Sequence, residues 1–302
     1  MSALFHILYG RERFFMDRHT IVLTADKRQE KLAALLEGER ISYAWEENAK
    51  EKEVCEKVYV LPIPVTKLDS NPDVKGKLKQ ELIKLSAKQG VCIKVFGGVI
   101  NREWESFFDL YRIPYWDFMK LPEVVEGNGW ITAEATLAEV LEHGEYSIQN
   151  QRVLVTGYGC CGKKIAEVFG KLGAKVVVAA RRPEIREEVR REGYEAIDFI
   201  EMPKMLADVT TVINTVPSMV LTEDCIRRMQ ANSLIIDIAS KPGGTDFEAA
   251  KKYGIKARLA LGLPGIYTTS SSAMLLKNAI SKYAPLQENV REDKLWIFQI
   301  II

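Results

Sequence analysis

Arg152-Val153-Leu154-Val155-Thr156 is a short apolar run leading into Gly157-Tyr158-Gly159-Cys160-Cys161-Gly162, a G-x-G-x-x-G spacing. Each glycine has its own use in a nucleotide site. Gly157 makes the tight turn, Gly159 lets a pyrophosphate reach the backbone, and Gly162 permits close packing of helix on strand. A helix starting there presents free N–H groups and the positive end of its dipole to the phosphates. The order of strand, loop, helix and second strand favours a dinucleotide site over a purely structural glycine turn. The second strand, from Lys175 to Ala179, runs into Ala180-Arg181-Arg182 and carries no carboxylate. NAD sites usually place one roughly 20 residues past the glycines, on the ribose 2′-hydroxyl. A guanidinium instead grips a 2′-phosphate through parallel charge-assisted bonds. The pattern predicts NADP over NAD, the alternative being two solvated surface arginines.

Three further strand ends carry loop chemistry. Val212-Ile213 leads to Asn214-Thr215-Val216-Pro217, whose amide, hydroxyl and apolar groups suit ribose and nicotinamide. Ile235-Ile236-Asp237-Ile238 leads to Ala239-Ser240-Lys241-Pro242-Gly243-Gly244-Thr245-Asp246, and Leu259-Ala260-Leu261 leads to Gly262-Leu263-Pro264-Gly265. In doubly wound sheets ligands bind at such carboxyl ends; turn punctuation alone is the other reading of these glycines and prolines. Lys241, among small residues, is a point charge that can meet a substrate carboxylate, unless it is merely solvated. Asp237 reads as an organiser of its loop rather than a base. The three histidines, His6, His19 and His143, all lie outside these loops. The histidine base of a 2-hydroxy-acid dehydrogenase therefore has no candidate.

The elements that must position these loops follow from periodicity. Strands are expected at His19–Leu23, Val58–Leu61 and Val91–Phe96, with helices at Lys27–Leu36, Val74–Ala87 and Trp104–Tyr111. This alternation is the pattern of a parallel sheet covered on both faces. It predicts a flavodoxin-like α/β domain over residues 1–130. Glu123–Gly129 reads as a polar, glycine-containing joint, and Ile131–Leu141 as a connecting helix. An NADP-binding Rossmann domain is expected over 131–284, with strands near Val153, Val176, Ala196, Val212, Ile235 and Ala257 and a helix over Ser270–Tyr283. The 285–302 tail, apolar from Leu295 to Ile302, is expected to cover the first domain's edge or a neighbouring subunit.

The 302 residues are 47% hydrophobic and 27% charged, ample for two cores, and a net charge of +1 gives no global attraction to nucleic acid or an anionic membrane. No apolar run approaches the roughly 20 residues of a membrane span. Met1 to Met16 makes a poor signal peptide; it reads as an arm, or as a start codon set too early with Met16 the natural first residue. Five cysteines in odd number, without metal-ligand spacing, point to a reduced, cytoplasmic protein with no metal. Cys160 and Cys161 read as small fillers, a redox sensor being the alternative.

With these loops in place, Thr132 to about Ala279 resembles the dipicolinate synthase A-subunit family of spore-forming bacteria. The resemblance rests on the Gly157 loop, Ala180-Arg181, Asn214-Thr215-Val216-Pro217, Gly262-Leu263-Pro264-Gly265-Ile266 and above all the run from Asp237 to Asp246. The first domain is similar in element order only. The family often carries an arginine directly after the second glycine, where this chain has Cys160. The resemblance implies NADP-linked oxidation of a dihydrodipicolinate-type ring, a lysine-pathway branch, to pyridine-2,6-dicarboxylate during sporulation. It also implies a second, flavoprotein-like subunit, and a homo-oligomer is expected. Aromatisation supplies driving force, so the enzyme chiefly places a ring carbon against the nicotinamide and neutralises two carboxylates. Lys241, Ser240, Thr245 and Thr132 are the groups suited to the carboxylates, and Glu134 to assisting loss of a ring proton or hydroxide. The alternatives are a shikimate-dehydrogenase-like reductase, nominally using Lys67, and a protein that binds NADP(H) without turnover.

Overall fold

The computed structural model describes residues 14–15, 18–37, 39–41, 55–285 and 288–289. Nearly all of the N-terminal arm and C-terminal tail discussed above lies outside the described residues. The chain divides into two compact units, one of residues 1–25, 33–118 and 277–302, the other of 26–32 and 119–276.

In chain order the first unit begins with β1 (Phe14–Phe15) and β2 (Arg18–Leu23), followed by α1 (Lys27–Leu35), which crosses the division between the units. β3 (Glu39–Ile41), β4 (Glu56–Val60), α2 (Pro72–Ser86), β5 (Cys92–Gly97), α3 (Arg102–Leu110) and β6 (Tyr115–Asp117) follow. Five strands form an all-parallel sheet in the order β3-β2-β4-β5-β6. That is the flavodoxin-like doubly wound order. α2 starts with Pro72 after an Asn71 cap whose side chain accepts from Val74 N, and it buries Val74, Leu78, Leu82 and Leu85 at helical spacing. These pack with Trp104 and Phe108 of α3 on Tyr59 and Val95 of the sheet.

The second unit contains α4 (Pro122–His143), β7 (Arg152–Thr156), α5 (Cys160–Lys171), β8 (Lys175–Ala179), α6 (Pro183–Arg191), β9 (Glu195–Ile197) and α7 (Met202–Met205). It continues with β10 (Thr211–Asn214), α8 (Glu223–Ile226), β11 (Leu234–Asp237), α9 (Phe247–Lys252), β12 (Lys256–Leu259) and the start of α10 (Thr269–Tyr283). β13 (Glu288–Asn289) belongs to the first unit, where it pairs antiparallel with β1. The six-stranded sheet is all parallel in the order β12-β11-β10-β7-β8-β9, the Rossmann arrangement. Its order reverses between β7 and β10, which opens the crevice where such sheets bind ligands. Val153, Leu154 and Val155 of β7 are fully buried, as expected for a strand covered on both faces. Each such side chain contributes about 1.5–3 kcal/mol relative to exposure.

One expectation is corrected. Glu123–Gly129 is no joint but the first part of α4, a continuous 22-residue helix begun by Pro122. Its glycines serve packing rather than flexibility. A Cβ on Gly127 would lie 2.7 Å from Leu275 Cδ2, and one on Gly129 would lie 2.8 Å from Cys160 Sγ. Glycine lowers helix propensity by about 1 kcal/mol, a cost offset here by close approach to α10 and α5. No helix among the described residues is long and apolar enough to cross a membrane, and no cluster among them could hold a metal ion.

Candidate functional site

Strand register aligns the ends that carry the loops. Thr156 of β7 pairs with Ala179 of β8 and with Asn214 of β10; Asn214 pairs with Asp237 of β11, and Asp237 with Leu259 of β12. Five loops therefore leave the sheet along one rim.

At the reversal of strand order the glycines differ in the way their spacing suggests. Gly157 has φ +85, and an added Cβ would lie 2.7 Å from Thr215 Oγ1. Gly162 is buried in α5, where a Cβ would meet Gly157 O at 2.4 Å. Nothing lies within 4 Å of a Cβ built on Gly159, the N-cap of α5, and no side chain caps that helix end. The loop is thus tight beneath and open above, with uncapped first-turn N–H groups facing the space a pyrophosphate needs. A pocket of about 200 Å³ borders it, lined by Gly157, Gly159, Ala180, Arg181, Arg182 and Val216 among others. This cradle fits a dinucleotide.

Arg181 and Arg182 are exposed at the pocket's edge. Neither guanidinium makes a hydrogen bond or ion pair to the described residues. Arg186, which sequence reasoning passed over, fixes the turn that carries them. Its Nη1 donates to the carbonyls of Ala180 (2.8 Å) and Arg181 (2.7 Å) and to Asp198 Oδ2 (2.6 Å). Tyr158, also passed over, is buried beside the loop and donates its hydroxyl to Glu192 Oε2 at 2.7 Å. Burial and that carboxylate push its ionisation far above the usual phenol range, so it remains a neutral donor. No signal in Pro183–Arg191 singles out Arg186 among its charged neighbours.

The β10 loop turns its polar groups inward. Asn214 is fully buried; its Oδ1 accepts from Thr156 Oγ1 (2.5 Å) and Val216 N (3.1 Å), and its Nδ2 donates to Val216 O (3.1 Å). The Thr215 hydroxyl donates to Thr156 O at 2.7 Å. The hydrogen bonds of these two side chains hold the turn. They present Val216, which lines the pocket, and the exposed Pro217.

Asp237, fully buried, organises the next loop. Oδ1 accepts from Ala239 N (2.9 Å), and Oδ2 accepts from Gly244 N (3.1 Å) and Thr245 Oγ1 (2.7 Å). Thr245 is 5% exposed and donates its hydroxyl to Asp237, which braces the loop. Buried Ala239 anchors the loop's start, while Ser240 and Lys241 stand exposed at its tip. Lys241 makes no ion pair with the described residues. Gly262, exposed with φ +67, begins the 3-10 turn Leu263–Gly265 beyond β12.

On α4, buried Thr132 forms a hydrogen bond with the Cys161 thiol, which places it against α5. Glu134 is exposed and two residues on, about 200° around the helix axis. The structure therefore points the Thr132 and Glu134 side chains to different faces of α4. The Cys160 thiol donates to Val125 O at 3.1 Å. Burial pushes both thiols above their ordinary value, which suits fillers that tie α5 to α4.

Similarity to known proteins agrees with this geometry. Residues 131–296 match the model for the alanine dehydrogenase/PNT C-terminal domain, a dehydrogenase domain that implies a nicotinamide cofactor. Over 218 residues the chain is 34% identical to the dipicolinate synthase A-subunit of Bacillus subtilis (strain 168), covering 72% of each chain. The solved structure of the dipicolinate synthase A-subunit from Bacillus halodurans superposes with TM-score 0.75 at 25% identity, covering 89% of this chain and 98% of that one. The corresponding Bacillus subtilis structure gives TM-score 0.72 at 26% identity, covering 90% and 96%. The chain belongs to the dipicolinate synthase A-subunit family and carries an oxidoreductase-type nicotinamide-nucleotide domain.

Proposed function

We propose that the chain is the NADP(H)-binding subunit of a dipicolinate synthase, oxidising a dihydrodipicolinate-type ring to pyridine-2,6-dicarboxylate together with a second, flavoprotein-like subunit. Residues 131–284 then form the nucleotide domain. The observation that carries this reading is the pocket between Gly157 and Arg182. It pairs an open phosphate loop with two guanidiniums, unpaired among the described residues, where NAD sites place a carboxylate.

In this reading the backbone of Gly157, Gly159, Cys160, Cys161 and Gly162 holds the pyrophosphate. Arg181 and Arg182 hold the 2′-phosphate, with Arg186 keeping their turn in place. Val216, Pro217, Ala239 and Gly262 flank the remainder of the nucleotide. When bound, the nicotinamide supplies a hydride acceptor. Lys241 Nζ and Ser240 Oγ, raised at the tip of the loop that Asp237 braces, neutralise and orient a substrate carboxylate. Asp237 itself is a positioning residue, since all three of its hydrogen bonds serve its own loop.

The test is NADPH and NADH titration by fluorescence on the wild-type chain and on Arg181→Ala with Arg182→Ala. A charge-assisted bond is worth about 1.5–3 kcal/mol, or roughly 10–150-fold in Kd. The double variant should lose about that much affinity for NADPH and little for NADH. Equal losses for both nucleotides would refute the 2′-phosphate role.

A further inference from the structure

The start of α1 carries a buried cation with no assigned use. Residues 26–32 belong to the same compact unit as the nucleotide fold. Asp26 caps α1 through Gln29 N (3.1 Å) and accepts from Arg28 Nη2 at 2.9 Å. Arg28 is 5% exposed, and its Nε is buried without an acceptor. Its one hydrogen bond among the described residues is the one to Asp26. Asp26 in turn abuts Gly265, where a Cβ would lie 2.9 Å from Asp26 Oδ2.

One physical cost is concentrated here. A guanidinium taken out of water with an unmet donor is destabilising. Asp26 at the cap and Glu30 in the first turn offset the charges of Lys27 and Arg28 at the positive end of the α1 dipole, which leaves the unmet Nε donor as the cost. Such locally unfavourable choices gather where a ligand repays them. An anion bound at Arg28 Nε meets that cost.

The position indicates which anion. Gly265 closes the loop that leaves β12, and Lys241 rides the loop that leaves the adjacent strand β11. Ala260 N donates to Asp237 O at 2.7 Å, tying the two strand ends together. We propose that Arg28 binds the second carboxylate of the ring dicarboxylate, Lys241 binding the first. Asp26 takes one hydrogen of Nη2, and Nε–H with the second Nη2 hydrogen forms the edge for a two-point contact. This rests on the synthase reading above.

The test is calorimetric titration of the full chain, saturated with NADPH, with pyridine-2,6-dicarboxylate and with pyridine-2-carboxylate. The wild type should prefer the dicarboxylate by about tenfold or more. Arg28→Gln should erase that preference by weakening the dicarboxylate about 10–100-fold, with NADPH affinity held, while loss of the buried pair with Asp26 lowers the melting temperature. Arg28→Lys, which keeps charge but not the fork, should fall between and serves if the glutamine variant does not fold. An unchanged preference in both variants would overturn the role of Arg28 alone. So would parallel loss of both acids, NADPH binding and melting temperature, the mark of a purely structural residue. Failure of the wild type to bind either acid would overturn the synthase reading and this inference together.

Discussion

Gly159 and Gly162 stand three residues apart in one motif, yet their surroundings predict opposite consequences for the same added methyl. A Cβ on Gly162 lies 2.4 Å from Gly157 O and 3.0 Å from Gly157 C. Both are backbone atoms, so β7 and α5 must move apart. Overpacking of this kind costs about 1–3 kcal/mol, which for a unit of this size lowers Tm by roughly 2–12 °C. Gly159 has φ −78 and ψ −166, open to any L-residue, and nothing within 4 Å of its Cβ. Alanine is a poorer N-cap than glycine by about 1 kcal/mol, but it gains about 0.4–1 kcal/mol from the less flexible unfolded chain. The two nearly cancel, so Gly159→Ala should melt within a few degrees of wild type. Its methyl fills the space reserved for the pyrophosphate, and NADPH affinity should fall about 5–150-fold, the counterpart of 1–3 kcal/mol. Thermal melting and fluorescence titration on both variants decide the matter. Wild-type NADPH affinity in Gly159→Ala, or a melting loss as large as that of Gly162→Ala, would refute the assignment of an open phosphate cradle.

Other outcomes follow from the same geometry. Lys241→Ala should raise KM for the ring substrate while leaving the NADPH Kd close to wild type; unchanged steady-state kinetics would remove Lys241 from the site. Asp237→Ala should strand three buried or loop-holding donors and destabilise by about 2–4 kcal/mol, measurable by urea denaturation; a loss below about 0.5 kcal/mol would contradict its bracing role. Because burial raises the pKa of Cys160 and Cys161, both remain protonated at neutral pH and gain thiolate only as pH rises into the alkaline range. Iodoacetamide at neutral pH should modify the exposed Cys55 and Cys92 first. Peptide mapping that found Cys160 fastest would support a reactive thiol instead.

The parts of the site legible in the sequence are those governed by local rules. The glycine spacing, the apolar strands and the absence of a carboxylate after Ala179 are read from neighbours in the chain, and the sheet order follows from alternation of strand and helix. The bracing role of Asp237 was also accessible, because a carboxylate at a strand end before paired glycines has backbone N–H groups to hold. What escaped is decided by who consumes each hydrogen bond. Asn214, Thr215 and Thr245 look available as a string of polar residues, but the fold spends them on Thr156, Val216 and Asp237 because buried polar groups must be paired. Gly127 and Gly129 read as a hinge because their need for closeness comes from Leu275 and Cys160, which are remote in sequence. Arg186 looks like an ordinary helix-surface charge until its bonds to Ala180, Arg181 and Asp198 assign it.

Turnover tests the central claim most directly. The full chain, with and without a candidate second subunit, is given freshly generated dihydrodipicolinate-pathway intermediate and NADP⁺, while ultraviolet absorbance follows the pyridine product and NADPH together. The account predicts pyridine-2,6-dicarboxylate and NADPH appearing in equal amounts, in the presence of the partner if the chain alone is silent. NADPH binding without pyridine product under either condition would contradict it, and would leave a nucleotide-binding protein that acts on another substrate or on none.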